Sequence, residues 1–264
     1  MSKIAGPLPP HPPLTRYYGS EPRRGRYLID LFDRTARHYD TIEKIFLNTG
    51  LWYRRFCLKR AGLRPGMKLL DVAIGTAAVA RGACQLVGPG GIVFGVDPSA
   101  GMLTRARQVF RGPLTRGVAE QLPFASETFD FVTMGIALRH VSDLLTTFTE
   151  YRRVLKPGGT LWMLEGHIPS SGAGRALTRL VWARAIPAVA VLVTRSRDAK
   201  LLMDYYWDTV VQCVPPDTIL GALAETGFVE PRYEVVVPGV FCLYTARRMR
   251  DGDSGRQEAS APVP

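Results

Sequence analysis

Between residues 67 and 165 the chain alternates short apolar runs with helix-periodic stretches, a rhythm that leaves few architectures open. Met67-Lys68-Leu69-Leu70-Asp71-Val72-Ala73 follows Pro65-Gly66, and Ile92-Val93-Phe94-Gly95-Val96-Asp97 follows Gly88-Pro89-Gly90-Gly91. Residues 129–134 and 160–165 are similar runs, the second behind Lys156-Pro157-Gly158-Gly159, and a poorer one covers 114–118. Runs this short, bounded by turn residues, predict buried strands. Residues 76–86, 99–110 (with Ser99 as N-cap) and 144–155 predict the helices between them. Near the end, residues 229–237 and 240–246 flank Pro238-Gly239 and predict a hairpin. The expected fold is α/β: a doubly wound sheet of seven strands with an antiparallel C-terminal hairpin.

Upstream, residues 27–36 and 42–59 place Leu31, Phe32, Ile45, Phe46 and Leu51 at helical spacing, predicting an N-terminal helical cap. Residues 1–26 hold Pro7, Pro9, Pro10, Pro12, Pro13 and Pro22, which fix φ and lack donors, so this segment reads as an extended, solvated tail with His11 set aside. Residues 249–264 mix Gly, Ser, Asp, Ala and Pro and read as a second loose tail. The folded unit is then 27–248. Within it, residues 170–212 break the strand–helix rhythm and predict a helical insertion covering the sheet. Its apolar run is too short and too interrupted to span a bilayer, which needs about 20 apolar residues.

Lysine and arginine number 34 against 23 acids, a net charge of +11, so the surface favours anionic partners without choosing among them. Cys57, Cys84, Cys213 and Cys242 form no C-x-x-C pair, which predicts free thiols and no metal site. The N-terminus has no apolar signal-peptide core, and a cytoplasmic location is expected.

The chemistry concentrates at Asp71-Val72-Ala73-Ile74-Gly75-Thr76-Ala77, a strand end that turns on small residues into a helix with free N–H groups. Asp97 ends the next strand, where a carboxylate can accept both hydroxyls of an adenosine ribose. Asp71 would repel a pyrophosphate laid over the turn, and two of the three glycines of a dinucleotide fingerprint are missing, which argues against a nicotinamide dehydrogenase. A nucleoside carrying an amine and a sulfonium in place of phosphate suits the same geometry, and S-adenosylmethionine is such a ligand.

At these residues the chain resembles the class I methyltransferases, and more narrowly the ubiquinone/menaquinone-biosynthesis C-methyltransferases. The likeness runs through Phe32-Asp33-Arg34, His38-Tyr39-Asp40, residues 70–76, Gly95-Val96-Asp97, Ala119-Glu120-Gln121-Leu122-Pro123-Phe124 and Phe129-Asp130. It continues through Ala137-Leu138-Arg139-His140-Val141, Arg153-Val154-Leu155-Lys156-Pro157-Gly158-Gly159, Leu164-Glu165 and Ala224-Glu225-Thr226-Gly227-Phe228. The resemblance implies a Rossmann-like methyltransferase sheet and S-adenosylmethionine as cofactor. It implies that Asp71, Ala73 and Gly75 line the methionine end, Asp97 the ribose, and Met102, Ala119 and Glu120 the adenine. Ile136 or Ala137 closes the floor, and Tyr39 faces the sulfonium.

For a phenolic acceptor, Arg139 is expected to stabilise an oxyanion and His140 to act as general base. His167, Tyr205, Tyr206 and Asp208 are expected to bind substrate beneath the cover. Three positions depart from the family pattern. Ala77 replaces a glycine and is expected to crowd the cofactor; Val118 replaces an acid or amide that reads adenine; His140 replaces an asparagine. The implied activity is C-methylation of an aromatic or quinol-like molecule in quinone or specialised metabolism. The alternatives are O- or N-methylation, or a cofactor-binding homologue without turnover. A nucleic-acid partner is not expected, because no base-flipping motif or recognition module accompanies the charge. The basic flanks of the apolar cover (Arg175, Arg179, Arg184, Arg195, Arg197, Lys200) would suit a lipid-tailed substrate and peripheral contact with an anionic membrane.

Overall fold

The structure, a computed structural model, describes residues 6–45 and 50–250. Phe46 of the expected cap helix and nearly all of the expected C-terminal tail lie outside the described residues. Seven strands form one sheet: β1 (Lys68–Val72), β2 (Ile92–Asp97), β3 (Leu114–Arg116), β4 (Phe129–Gly135), β5 (Leu155–Gly166), β6 (Phe228–Val237) and β7 (Phe241–Arg248). Their order is β3-β2-β1-β4-β5-β7-β6, with β7 antiparallel to both β5 and β6 and the other pairs parallel. Alternation along the strands sends Leu70, Val132 and Met163 to one face and Leu69, Phe131 and Trp162 to the other. Both faces are covered by helices, which is why the central strands read as unbroken apolar runs.

On the first face lie α6 (Leu144–Val154) and α10 (Pro216–Glu225), packed through Phe148, Tyr151, Ile219 and Leu223. The second face carries α3 (Gly50–Arg60), α4 (Ala78–Val87) and α5 (Ala100–Val109), packed through Leu58, Ala80, Ala83 and Ala106. The remaining helices are α1 (Thr15–Tyr18), α2 (Arg24–Ile45), α7 (Gly172–Leu180), α8 (Ile186–Thr194) and α9 (Arg197–Val211), and all of these but α7 contribute to a third apolar cluster.

Two expectations about the chain's organisation need correction. The proline-rich segment is not a solvated tail. His11, Leu14 and Tyr18 are buried, and the extended backbone offers carbonyls that helix starts and loops use: Leu144 N–H donates to Leu8 O (2.9 Å) and Val214 N–H to Pro10 O (2.8 Å). Proline fixes the extended form but leaves every carbonyl available, so the segment acts as a strap.

Nor is the cover's apolar run short and interrupted. A wide π turn, Val181–Ala185, joins α7 to α8 and makes room for the Pro187 ring, giving one continuous helix, Gly172–Thr194. That helix is long and apolar enough, by length and composition, to cross a membrane.

Candidate active site

Between β1 and β4 the chain leaves the sheet in opposite directions, and the crevice outside their carboxyl ends is where such sheets bind ligands. β1 ends in a coil of left-handed residues: Ala73 (φ 54°), Gly75 (φ 54°) and Ala77 (φ 67°). This bend lifts the chain from the strand into α4 within a few residues. Ile136, after β4, is also left-handed (φ 57°), a costly conformation for a β-branched residue and the kind of strain that binding sites retain.

The bend borders a cavity of about 440 Å³. Gly75, Asp97, Ser99, Met102, Val118 and Ala119 line it together with Phe32, Ile136, His140 and Tyr206. A smaller recess of about 80 Å³ continues past Tyr39, Ala73 and Gly75 to Arg54, Asp71, Thr76, Trp182 and Phe241. Tyr39 and Tyr206 border both spaces and share a hydrogen bond of 2.7 Å between their hydroxyls.

Two acids set the electrostatics. Asp97 accepts from Gly75 N–H and Ser99 N–H, both at 2.9 Å, and burial pushes its carboxyl up to about 6. Asp71 accepts from the Thr133 hydroxyl (2.7 Å) and Ala80 N–H (3.0 Å). Burial pushes it up to about 7, with Thr133, Ala80 and the nearby Arg54 charge pulling the other way. Buried carboxylates of raised pKa gain most from a ligand that brings its own positive charge.

Of the residues expected to hold the cofactor, Tyr39, Ala73, Gly75, Asp97, Met102, Ala119, Glu120 and Ile136 all border the main cavity, and Asp71 borders the recess. Glu120 also accepts from the Ser142 hydroxyl (2.7 Å), tying two loops of the wall together. Ala77 does not crowd the cavity: its methyl is buried among Val79, Ala80 and Ile74 in the core behind the bend. Val118 lies on the cavity wall, half-exposed, and contributes no polar side-chain group there.

The expected substrate residues divide. His140 and Tyr206 face the cavity; Arg139, Tyr205, His167 and Asp208 do not. Arg139 is buried in an ion pair with Glu165, and its Nε donates to the Thr209 hydroxyl at 3.2 Å, so its charge is committed inside the protein. Tyr205 is fully buried and stacks on the far side of the wall against His140 (centroids 5.6 Å apart). Asp208 accepts from Arg16 and the Tyr17 hydroxyl, fastening the N-terminal strap to α9. His167 borders a separate groove, with Nδ1 3.1 Å from the Tyr233 hydroxyl.

His140 sits between Phe32 (5.4 Å) and Tyr206 (5.5 Å, nearly parallel), and neither ring nitrogen has a partner among the described residues. Burial, then the charges of Arg139 and Arg24, holds its pKa well below the ordinary value, so the ring is neutral near pH 7.

Sequence reasoning missed Arg54 and Asp33. Arg54 had no local signal beyond its place in a basic helix. Asp33 reaches from α2 to the start of α5, accepting from Gly101 N–H at 2.8 Å and from the Ser99 hydroxyl, while Arg105 of α5 pairs with Asp40 at 2.8 Å. α2 thereby supplies Leu28, Ile29 and Phe32 as one wall of the cavity. Asp33→Ala is expected to lower stability by about 1–2 kcal/mol, read by urea unfolding, and to weaken cofactor binding in parallel.

S-adenosylmethionine fits these residues. Asp97 offers acceptors to ribose hydroxyls, Met102, Val118 and Ala119 form an apolar slot for a flat base, and a Cβ at Gly75 would meet only the Ala73 carbonyl, at 4.0 Å, leaving open room above the bend. Asp71 and Arg54 meet in the recess, a setting for the oppositely charged groups of an amino acid.

Comparison with known proteins agrees. The ubiE/COQ5 methyltransferase family matches residues 21–248. A demethylmenaquinone methyltransferase of Symbiobacterium thermophilum is 34% identical over 244 residues, covering 88% of this chain and 97% of that protein. The ubiquinone/menaquinone biosynthesis C-methyltransferase UbiE of Shewanella sediminis is 30% identical over 81% of this chain and 87% of its own length. Among solved structures, an S-adenosylmethionine-dependent methyltransferase of Aquifex aeolicus shares the fold, with a TM-score of 0.53 at 18% identity, covering 74% of this chain and 88% of that one. A putative methyltransferase of Haloferax volcanii, solved with its Trm112 activator, gives 0.59 at 16% identity over 83% and 98%. With a family match spanning nearly all of the folded unit and a crevice suited to the cofactor, the chain belongs to the ubiE/COQ5 methyltransferase family and is an S-adenosylmethionine-dependent methyltransferase.

Proposed function

We propose that this enzyme methylates a ring carbon of a hydroquinone-type acceptor in quinone biosynthesis. The observation that carries the reading is the neutral His140, its two nitrogens without a partner among the described residues, set between Phe32 and Tyr206 on the cavity wall. The names of the relatives from Symbiobacterium and Shewanella point the same way.

Bound S-adenosylmethionine supplies a methyl group made electrophilic by its sulfonium. The chain's own residues supply the rest. Phe32, Ile136 and Tyr206 give a flat aromatic acceptor apolar faces and keep water from the reacting carbon. His140 takes the hydroxyl proton of the acceptor, leaving a phenolate whose electron density raises the nucleophilicity of the ring carbon. After transfer the proton on the methylated ring carbon moves to the ring oxygen, restoring the aromatic hydroquinone, and His140 releases the proton it took to solvent. The Tyr39–Tyr206 hydrogen bond holds the wall where cofactor and acceptor spaces meet. Arg139 is a positioning residue here: its guanidinium lies 5.4 Å from the Tyr206 ring centroid and anchors Glu165.

The test is methyl transfer from labelled S-adenosylmethionine to reduced demethylmenaquinone, with the product's methyl located by NMR. The expected product carries the methyl on carbon. His140→Asn keeps a polar side chain of similar reach but cannot take the proton. It is expected to lower kcat about 100-fold and flatten the acid limb of the pH profile, with cofactor affinity kept. A product methylated on oxygen, or an unchanged kcat in His140→Asn, overturns the assignment.

A further inference from the structure

The continuous helix Gly172–Thr194 has two unlike faces. Thr178, Trp182, Ile186, Pro187 and Ala190 are buried, and Trp182, Ile186 and Ala190 pack it onto the third cluster. Leu177, Leu180, Val189, Leu192 and Val193 point outward, from 42% exposed at Val189 to 78% at Leu192. They recur at helical spacing along the outer side, and isolated exposed apolar residues do not line up this way. No acidic residue falls between 172 and 194; Arg175, Arg179 and Arg184 share the helix with the apolar stripe, and Arg195 and Arg197 follow it. None of the three helix arginines has a carboxylate partner among the described residues. Beside the helix runs a groove of about 540 Å³ that includes Arg175, Arg179, His167, Trp207 and Tyr233.

We propose that this helix lies flat on an anionic phospholipid surface, its outer stripe in the acyl region and its arginines against lipid phosphates. A second copy of the chain is a poorer occupant. A two-fold contact through this stripe would set unpaired arginines of one copy against those of the other, on chains of net charge +11. An anionic bilayer offers apolar depth and negative charge together, and tryptophan and tyrosine at the rim are side chains suited to its headgroup layer. The helix docks without spanning, because its inner stripe is already occupied by α2 and α9.

The placement has a consequence for the site. Trp182, on the inner stripe, borders the recess beneath Tyr39 and Tyr206. The same helix therefore touches lipid on one side and roofs the catalytic space on the other, and a membrane-dissolved acceptor reaches the site from the edge of the helix. This last point rests on the proposed acceptor; the docking itself does not.

Flotation of the full chain with vesicles tests it. Binding is expected to phosphatidylcholine vesicles containing phosphatidylglycerol and not to phosphatidylcholine alone. Leu177→Glu/Leu192→Glu is expected to abolish flotation with thermal unfolding and turnover of a short-chain, water-soluble hydroquinone unchanged. Arg175→Gln/Arg179→Gln is expected to weaken vesicle binding roughly 30-fold, from two charges near the surface. Absence of flotation, flotation that survives the glutamate pair, or a dimer in sedimentation that the glutamate pair dissolves would each overturn the proposal. So would loss of vesicle binding in glycerol phosphate at the ionic strength of a chloride control, which would point to a soluble phosphate ligand. Loss of turnover on every hydroquinone with flotation intact counts against the acceptor alone.

Discussion

Asp97→Asn is expected to weaken S-adenosylmethionine binding roughly 100-fold, with the unliganded fold intact. A carboxylate at this position can accept two ribose hydroxyls while still holding Gly75 and Ser99 N–H, and charge-assisted bonds of this kind contribute about 1.5–3 kcal/mol each. The amide keeps one acceptor oxygen and gains donors that oppose Gly75 or Ser99, so about 3 kcal/mol is lost. The pH dependence follows from the raised values of about 6 for Asp97 and about 7 for Asp71. Wild-type affinity for the cationic cofactor should fall as pH drops through 7 and then 6, and the Asp97 contribution should vanish in the variant. Unliganded stability should respond in the opposite sense. Both folded values lie above the ordinary carboxylate range, so protonation favours the folded state, and the contribution of these groups declines as pH rises from about 4 toward 7. Calorimetry across this range measures the first effect, and unfolding without cofactor measures the second. Unchanged affinity in Asp97→Asn would remove the ribose assignment.

The second large effect concerns folding. Arg139→Ala is expected to destabilise the protein by about 3–5 kcal/mol, because Glu165 would stay buried without its cation. At about 2–4 °C per kcal/mol for a domain of this size, the melting temperature should drop by roughly 10 °C. Glu165 also accepts from Leu138 N–H at 2.7 Å, so the pair ties β5 to the segment carrying His140. Arg139→Met combined with Glu165→Gln removes both charges and retains an acceptor for Leu138. It should recover much of the loss, and a double-mutant cycle on the melting data gives the coupling. Equal losses in the single and double variants would mean that the pair holds little of the fold.

These two sites show where the sequence was informative. Asp97 and Gly75 were readable because each lies at a strand end whose apolar run and following turn are contiguous, so local pattern sets position. His140 and Tyr206 were readable as residue types, yet their meeting depends on α9 folding back over the segment after β4. Arg139 was misassigned because its partner, Glu165, belongs to another strand, and an arginine in a functional-looking motif has no local sign of burial. Asp208 and its partner Arg16 lie at opposite ends of the chain, and the proline-rich segment that carries Arg16 looked unattached. In the cover, an apolar run that reads as short and interrupted belongs to a helix that a single widened turn keeps whole.

The bonds from Asp33 to the start of α5, with the Arg105–Asp40 pair beside them, bear on turnover. They latch α2 against the nucleotide side, and α2 walls the chamber with Leu28, Ile29 and Phe32. Spent cofactor loses the sulfonium charge but keeps the amino acid end suited to Asp71 and Arg54, and it leaves a chamber that this helix walls. Loosening the latch would open that wall, so Asp33→Ala is expected to speed release of the spent cofactor in stopped-flow measurements, and where release limits turnover the latch sets the pace of the cycle.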